Sequence, residues 1–253
     1  MALIIAVANQ KGGVGKTTTT ANLGASLAGF GKKVLLVDMD PQGNLTTAFG
    51  VTPQEGGTIA RALLDRKVPL PIVRIEQEEG CVIDVVPADL SLASAEVALL
   101  NKLGRELRLR ELLGQVESRY DFILIDTPPS LGLLTINALV AAHRVLIPTE
   151  ARHFSQQGLQ MLKESIDEVL YLNPRLEVLG IVISKLDRRL REERAVASYL
   201  REHWGDLVFQ TEIGTNSKIL EAASAGVSVF RFAGAEKAAE GYRALAEEVM
   251  ARV

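Results

Sequence analysis

The stretch Gln10-Lys11-Gly12-Gly13-Val14-Gly15-Lys16-Thr17-Thr18 has the residue types of a phosphate-binding loop. Such loops read G-x-x-x-x-G-K-[ST]. Their glycines permit a tight turn, and the helix that follows aims free N–H groups and the positive end of its dipole at an anion. Lys16 can neutralise β- and γ-phosphate charge, and the Thr17 hydroxyl is placed to ligate magnesium, with Gly12, Gly13, Val14, Gly15 and Thr18 completing the nucleotide cradle. Two departures stand out: Gln10 takes the place of the first glycine, and Lys11 is an additional cation. Two ammonium groups so close repel unless phosphate charge stands between or beside them. Lys11 is therefore either a solvated loop charge or, if the turn points it away from its own pocket, a ligand for a triphosphate held by a facing subunit. Asp38 and Asp40 lie two apart at the end of an apolar run, which in extended geometry puts both on one side, where one could act on water or metal. Asp126 ends a second such run, FILID.

The elements that must position these groups alternate. Short apolar runs, LIIAVAN, KVLLVDMD, CVIDVVP, FILIDTP, RVLIPTE, VLGIVISK and LVFQTEI, have the character of parallel strands buried on both faces. Helical patterns fall between them: Lys16 to Phe30, the segment around Ile59 to Arg66, Arg105 to Glu117, Ser155 to Leu172, Leu190 to Trp204, and Glu236 to the end. The alternation predicts an α/β fold, a doubly wound and mostly parallel sheet flanked by helices, with ligands outside the carboxyl ends of the strands. Val51 to Glu79 is expected to be a surface excursion, a helix flanked by loops containing Pro and Gly, and residues 1–253 a single domain.

Composition narrows the classes further. The chain has 253 residues, 47% hydrophobic and 23% charged, enough apolar material for a large core. Its single cysteine, Cys81, is expected to be buried on a strand, and one cysteine can build neither a disulfide framework nor a multi-cysteine metal site within a chain. MALIIAVANQ is too short to span a bilayer and has no positive leader, so a cytoplasmic protein without membrane attachment is expected. With a net charge of −3, nucleic-acid binding would have to come from a local patch.

K-G-G-V-G-K-T at Lys11 to Thr17 resembles the deviant phosphate loop of the ParA/Soj-type chromosome and plasmid partition ATPases, whose relatives include the MinD regulators. V-D-M-D-P-Q-G-N at Val37 to Asn44 is similar to that family's switch I, F-I-L-I-D-T-P-P-S at Phe122 to Ser130 to its Walker B and switch II, and T-N-S-K-I-L-E-A at Thr215 to Ala222 to a late element. The resemblance implies a P-loop ATPase that uses ATP and Mg2+. It implies that Lys11 reaches across an ATP-dependent homodimer to the partner's phosphates. It also implies that Asp40 orients or activates the attacking water, that Asp126 holds magnesium through a water, and that basal hydrolysis is weak. The partner implied for stimulation is a ParB-type centromere-binding protein.

The base pocket gives two signals. Ser184-Lys185-Leu186-Asp187 resembles the [NT]-K-x-D element by which related GTPases select guanine, whereas the adjoining Arg188-Arg189 fits the ATP-using partition family. Ile213-Gly214-Thr215-Asn216 stands where that family commonly has Ile-Pro-Arg-Asn, which leaves Ile213 as a base contact without the usual proline.

In DRRLREERAVASYLREHW, Arg188, Arg191, Arg194 and Arg201 fall within one helical arc, opposite Val196, Leu200 and Trp204. That face is either a salt-bridged solvated surface or a contact for non-specific double-stranded DNA. The family resemblance places Arg189 and Lys218 with Arg188, Arg191 and Arg194 at the DNA, and so implies a nucleoid-associated protein. The alternatives are a MinD-like membrane-cycling ATPase, disfavoured by the alanine-rich, acidic end GYRALAEEVMARV, and a ParA-like ATPase that positions another cargo.

Overall fold

A computed structural model of the chain describes residues 1–53, 57–77, 81–151 and 156–253. In chain order the elements are β1 (Leu3–Val7), α1 (Lys16–Gly29), β2 (Val34–Asp38), α2 (Asn44–Ala48), α3 (Ile59–Leu64), β3 (Val73–Glu76), β4 (Val82–Val86), α4 (Ser91–Leu99) and α5 (Arg108–Gly114). They continue with β5 (Phe122–Asp126), α6 (Leu133–Ala141), β6 (Arg144–Glu150), α7 (Gln156–Val169), β7 (Glu177–Leu186), α8 (Arg191–Trp204), β8 (Val208–Gly214), α9 (Ser217–Ser224) and α10 (Glu236–Ala251).

The strands form one sheet in the order β3-β4-β2-β5-β1-β6-β7-β8. Every expected strand is present, and these seven pair parallel with one another. Ile5, Leu35, Leu36, Ile123 and Leu124 have no exposed surface, as expected of strands covered on both faces. One face packs against Leu23 and Leu27 of α1 and Tyr242, Leu245 and Val249 of α10. The other packs against α3, α4, α5 and α6 through Leu63, Leu99, Leu113 and Leu134.

Four features differ from the sequence expectation. The excursion after Val51 contains β3, which pairs antiparallel with β4. In it Val73 and Ile75 face inward while Arg74 and Glu76 are exposed, a four-residue alternation suited to an edge. Cys81 is partly exposed, because it precedes β4 rather than lying within it. Helices α2, α4, α6 and α9 were not expected; α6 is buried on nearly all sides, Thr135 and Asn137 included, so it carries no amphipathic period to detect. The helix expected from Ser155 begins at Gln156, Ser155 lying outside the described residues, and ends at Val169. Beyond it the buried Asn173 side chain donates to the carbonyls of Leu139 (3.0 Å) and Ala142 (2.7 Å).

Strands β6 and β7 shift register where Val145 pairs with Val178 but Leu146 pairs with Gly180, leaving Leu179 extra. A β-carbon at Gly180 would lie 2.6 Å from the Leu207 carbonyl oxygen and 2.6 Å from the Phe209 ring. Gly180→Ala should therefore destabilise the protein by about 1–3 kcal/mol through overpacking, seen as a lower urea midpoint. An unchanged midpoint would show that the bulge widens freely.

Candidate functional site

The loop from Asn9 to Gly15 leaves β1 at the carboxyl edge of the sheet, and its shape is fixed from several sides. The buried Asn9 donates through Nδ2 to the Pro148 carbonyl (2.7 Å), and its Oδ1 accepts the Lys11 N–H (3.0 Å). Gly13 and Gly15 have φ of +78° and +87°, a region that a β-carbon disfavours. Lys16 Nζ donates to the Lys11 carbonyl (3.2 Å) and Ser184 Oγ to the Val14 carbonyl (2.6 Å). Gly15 is the N-cap of α1, so the unpaired N–H groups of that helix open onto the loop.

A cleft of about 690 Å³ lies over this loop and brings together Gly12, Gly13, Lys16, Thr17, Thr18 and Asp40. Among the described residues its lining does not include the buried Val14 or Lys11. Lys16 is only 6% exposed. Burial lowers its pKa, while Asp126 and Asp40 draw it back up. Asp126 has no exposed surface; its carboxylate accepts a long hydrogen bond, 3.4 Å, from Thr20 Oγ1, and the nearby Thr17 hydroxyl acts to lower its pKa. Burial, reinforced by repulsion from Asp38, raises the Asp126 pKa. Its Oδ2 has no hydrogen-bond partner among the described residues. A buried carboxylate with an unsatisfied oxygen beside a threonine hydroxyl is a hard-oxygen donor set, which fits Mg2+.

The two switch I acids separate. Strand β2 ends at Asp38, so the two-residue period does not reach Asp40. Asp38 is fully buried and accepts from the Thr46 hydroxyl (2.7 Å), the Thr46 N–H (2.9 Å) and the Asp40 N–H (3.1 Å). Burial pushes its pKa up to about 6 against these hydrogen bonds. Thr46 Oγ1 also accepts the Ala88 N–H (2.9 Å), so Asp38 ties the start of α2 to two strand ends. Of the pair, only Asp40 lines the cleft.

Beside the cleft a hollow of about 420 Å³ is lined by Ser184, Lys185, Asp187, Ile213, Thr215 and Tyr242, among others. Ile213 closes it from the end of β8 with its side chain in the core. The Asp187 oxygens are taken by the Arg189 guanidinium at 2.9 and 2.7 Å, so the aspartate of the element that resembles a guanine-selecting sequence is paired with the arginine that follows it.

A family model described as an AAA domain matches residues 2–178. Sporulation initiation inhibitor protein Soj of Bacillus subtilis is 41% identical over 253 residues, with 99% of each chain covered. Chromosome partitioning protein ParA of Caulobacter vibrioides is 40% identical over 252 residues, covering 98% of this chain and 94% of the relative. The chain belongs to the ParA/Soj family of P-loop ATPases. Among solved structures it is similar to a protein described as cobyrinic acid a,c-diamide synthase from Mycobacterium smegmatis with bound ADP and magnesium. That match has a TM-score of 0.83 and 34% identity, covering 98% of this chain and 93% of the other.

In this ParA/Soj-family chain the basic residues read from the sequence fall into two sets. Arg188 lies ahead of α8 rather than on its arc, and its guanidinium pairs with Glu212 (2.6 Å). Arg201, on the expected arc, also pairs with Glu212 (2.9 Å) and donates to the carbonyls of Phe209 and Gln210, pinning α8 to β8. Arg189 pairs with Asp187 and Lys218 with Glu221, each at 2.7 Å. Arg191 and Arg194 are exposed on α8 and form no ion pair among the described residues. Of the two readings of this face, the salt-bridged one holds for Arg188 and Arg201, through Glu212, an acid on a different element that a helical wheel does not show. Sequence reading also missed Thr46, Ser184 and Lys185 as loop-positioning residues; for Ser184 and Lys185 the signal is a polar side chain at the carboxyl end of an apolar run, and Thr46, within α2, has no such signal.

Thr46→Val keeps the side-chain shape but leaves Asp38 one donor short and the Ala88 N–H without its acceptor. The expected loss is about 2–4 kcal/mol in urea unfolding, since each unsatisfied buried group costs about 1–3 kcal/mol. A loss below about 0.5 kcal/mol would show that Asp38 does not depend on this clasp.

Proposed function

We propose that this chain is an ATP-dependent dimerising ATPase of chromosome or plasmid segregation. As a single-domain, nucleoid-associated protein it binds double-stranded DNA non-specifically as the ATP-bound dimer and releases it on hydrolysis stimulated by a ParB-type partner. The observation that carries the reading is the division of the loop's cations. Lys16 is buried in the cleft beside Asp126 and Asp40, whereas Lys11 does not line the cleft of its own chain.

The residues present suffice for phosphoryl transfer to water, which depends on positioning and charge stabilisation. The N–H groups of the loop and of the first turn of α1 bind the phosphate oxygens, and Lys16 neutralises the charge between the β- and γ-phosphates. Thr17 and, through a water, Asp126 would hold Mg2+, which when bound supplies further neutralisation of the phosphates. Asp40, at the cleft wall, orients the attacking water and takes up its proton. Lys11 completes the site of the facing protomer, so a lone subunit hydrolyses slowly. The side chain of Ile213, fixed in the core, offers the base an apolar wall.

DNA contact is assigned first to Arg191 and Arg194. Arg188, Arg189 and Lys218 join by exchanging a carboxylate for a phosphate. The apolar face of α10 is spent on the core through Tyr242, Leu245 and Val249, which favours DNA over a membrane surface. Among the described residues no helix is long and apolar enough to cross a membrane. The similarity to a diamide synthase raises an amide-forming alternative. Against it, the one cysteine opens β4 at the end of the sheet remote from the cleft, so no thiol is available there to release nitrogen from glutamine.

Asp40→Ala should keep ATP binding, lose about 10²–10⁴-fold in hydrolysis and accumulate as a dimer in light scattering with ATP and Mg2+. Adding Lys11→Ala should return it to monomer, and a monomeric Asp40→Ala protein would refute the dimer. In DNA binding by that trapped dimer, Arg191→Ala and Arg194→Ala should each reduce the slope of log affinity against log salt by about 1. An unchanged slope would remove α8 from the DNA interface.

A further inference from the structure

Lys185 is the one non-glycine residue with positive φ among the described residues, at +54°. A side chain in the left-handed region is strained, and nothing in a solvated loop would hold a lysine there. Here the surroundings do hold it. Its ammonium donates to the Gly13 carbonyl (2.5 Å), its own carbonyl accepts the Thr215 hydroxyl (2.8 Å), and the adjacent Leu186 carbonyl accepts the Thr215 N–H (3.2 Å). The residue before it, Ser184, grips the next carbonyl of the phosphate loop, that of Val14. Lys185 also lines both the 690 Å³ cleft and the 420 Å³ hollow, and so forms the wall between them.

A peptide unit is planar, with its C=O and N–H pointing in opposite directions. Fixing the carbonyls of Gly13 and Val14 therefore fixes the directions of the Val14 and Gly15 N–H groups, two of the donors a phosphate loop offers. We propose that Lys185 is a positioning residue that braces the phosphate loop from the base-pocket side, its strained backbone coupling the loop after β8 to the orientation of the phosphate-binding amides. The brace itself is a property of the nucleotide-free fold; its effect on nucleotide rests on the ATPase reading above.

Strain and function then separate by substitution. Lys185→Gly adopts φ of +54° without penalty but has no ammonium, Lys185→Met loses the ammonium and keeps the strain, and Lys185→Arg keeps a cation of similar reach. In the full-length nucleotide-free protein, Lys185→Gly is expected to melt no lower than wild type. Amide exchange in the peptide spanning residues 9–16 should nevertheless accelerate at least tenfold, with Lys185→Met showing the same acceleration and Lys185→Arg staying close to wild type. With Mg2+, affinity for ADP and for inorganic tripolyphosphate should fall together, by roughly tenfold, in the Gly and Met variants, the size expected of one charge-assisted hydrogen bond. Unchanged exchange in residues 9–16, or a lower Tm for Lys185→Gly with wild-type affinities, would overturn the brace. So would a loss confined to ADP, which would make Lys185 a base contact. The exchange measurement needs no nucleotide, so failure of wild type to bind ADP would count against the ATPase reading alone.

Discussion

The buried ammonium of Lys16 and the buried carboxylate of Asp126 set the terms for everything around them. Each is held largely out of water, each is pushed toward its neutral form by that burial, and each is partly restored by the other. Charges in this position are costly unless compensated, and among the described residues the compensation is incomplete: Asp126 keeps an oxygen without a hydrogen-bond partner. A cleft so arranged has a standing electrostatic demand for a cation beside the acid and anions beside the base. A magnesium nucleotide meets both demands at once.

The rest of the sheet serves to place those charges. Parallel strands β1, β2 and β5 deliver the loop, Asp38 and Asp126 to one edge because all three end there, paired Val7 to Asp126 and Asp38 to Asp126. Around this centre, neighbouring polar groups restrict backbone movement: Asn9, Ser184 and Lys185 on the loop, and Asp38 with Thr46 on switch I. Of these clamps only Lys185 lines the cleft. Together they make the geometry of the groups that line it reproducible.

The phosphate loop, the acids and the parallel strands were legible in the sequence because each is written locally, in contiguous residues with a short period. Strand β3 was not, since four residues alternating with Arg74 and Glu76 look like polar loop until β4 is beside them. Helix α6 escaped because a helix buried on nearly all sides has no polar face to mark its period. The divergence of Asp38 from Asp40 depends on Thr46 and Ala88, and the neutralisation of Arg188 and Arg201 depends on Glu212, partners distant in sequence or on another element. Contacts of that kind are decided by packing, and a single sequence does not display them.

The knot of Asp38, Thr46 and Ala88 has a mechanical corollary. Because the strand end and the first turn of α2 are lashed to the same buried carboxylate, the intervening residues 39–43 form a leash anchored at both ends. A rearrangement within that leash would leave both the sheet and α2 in place.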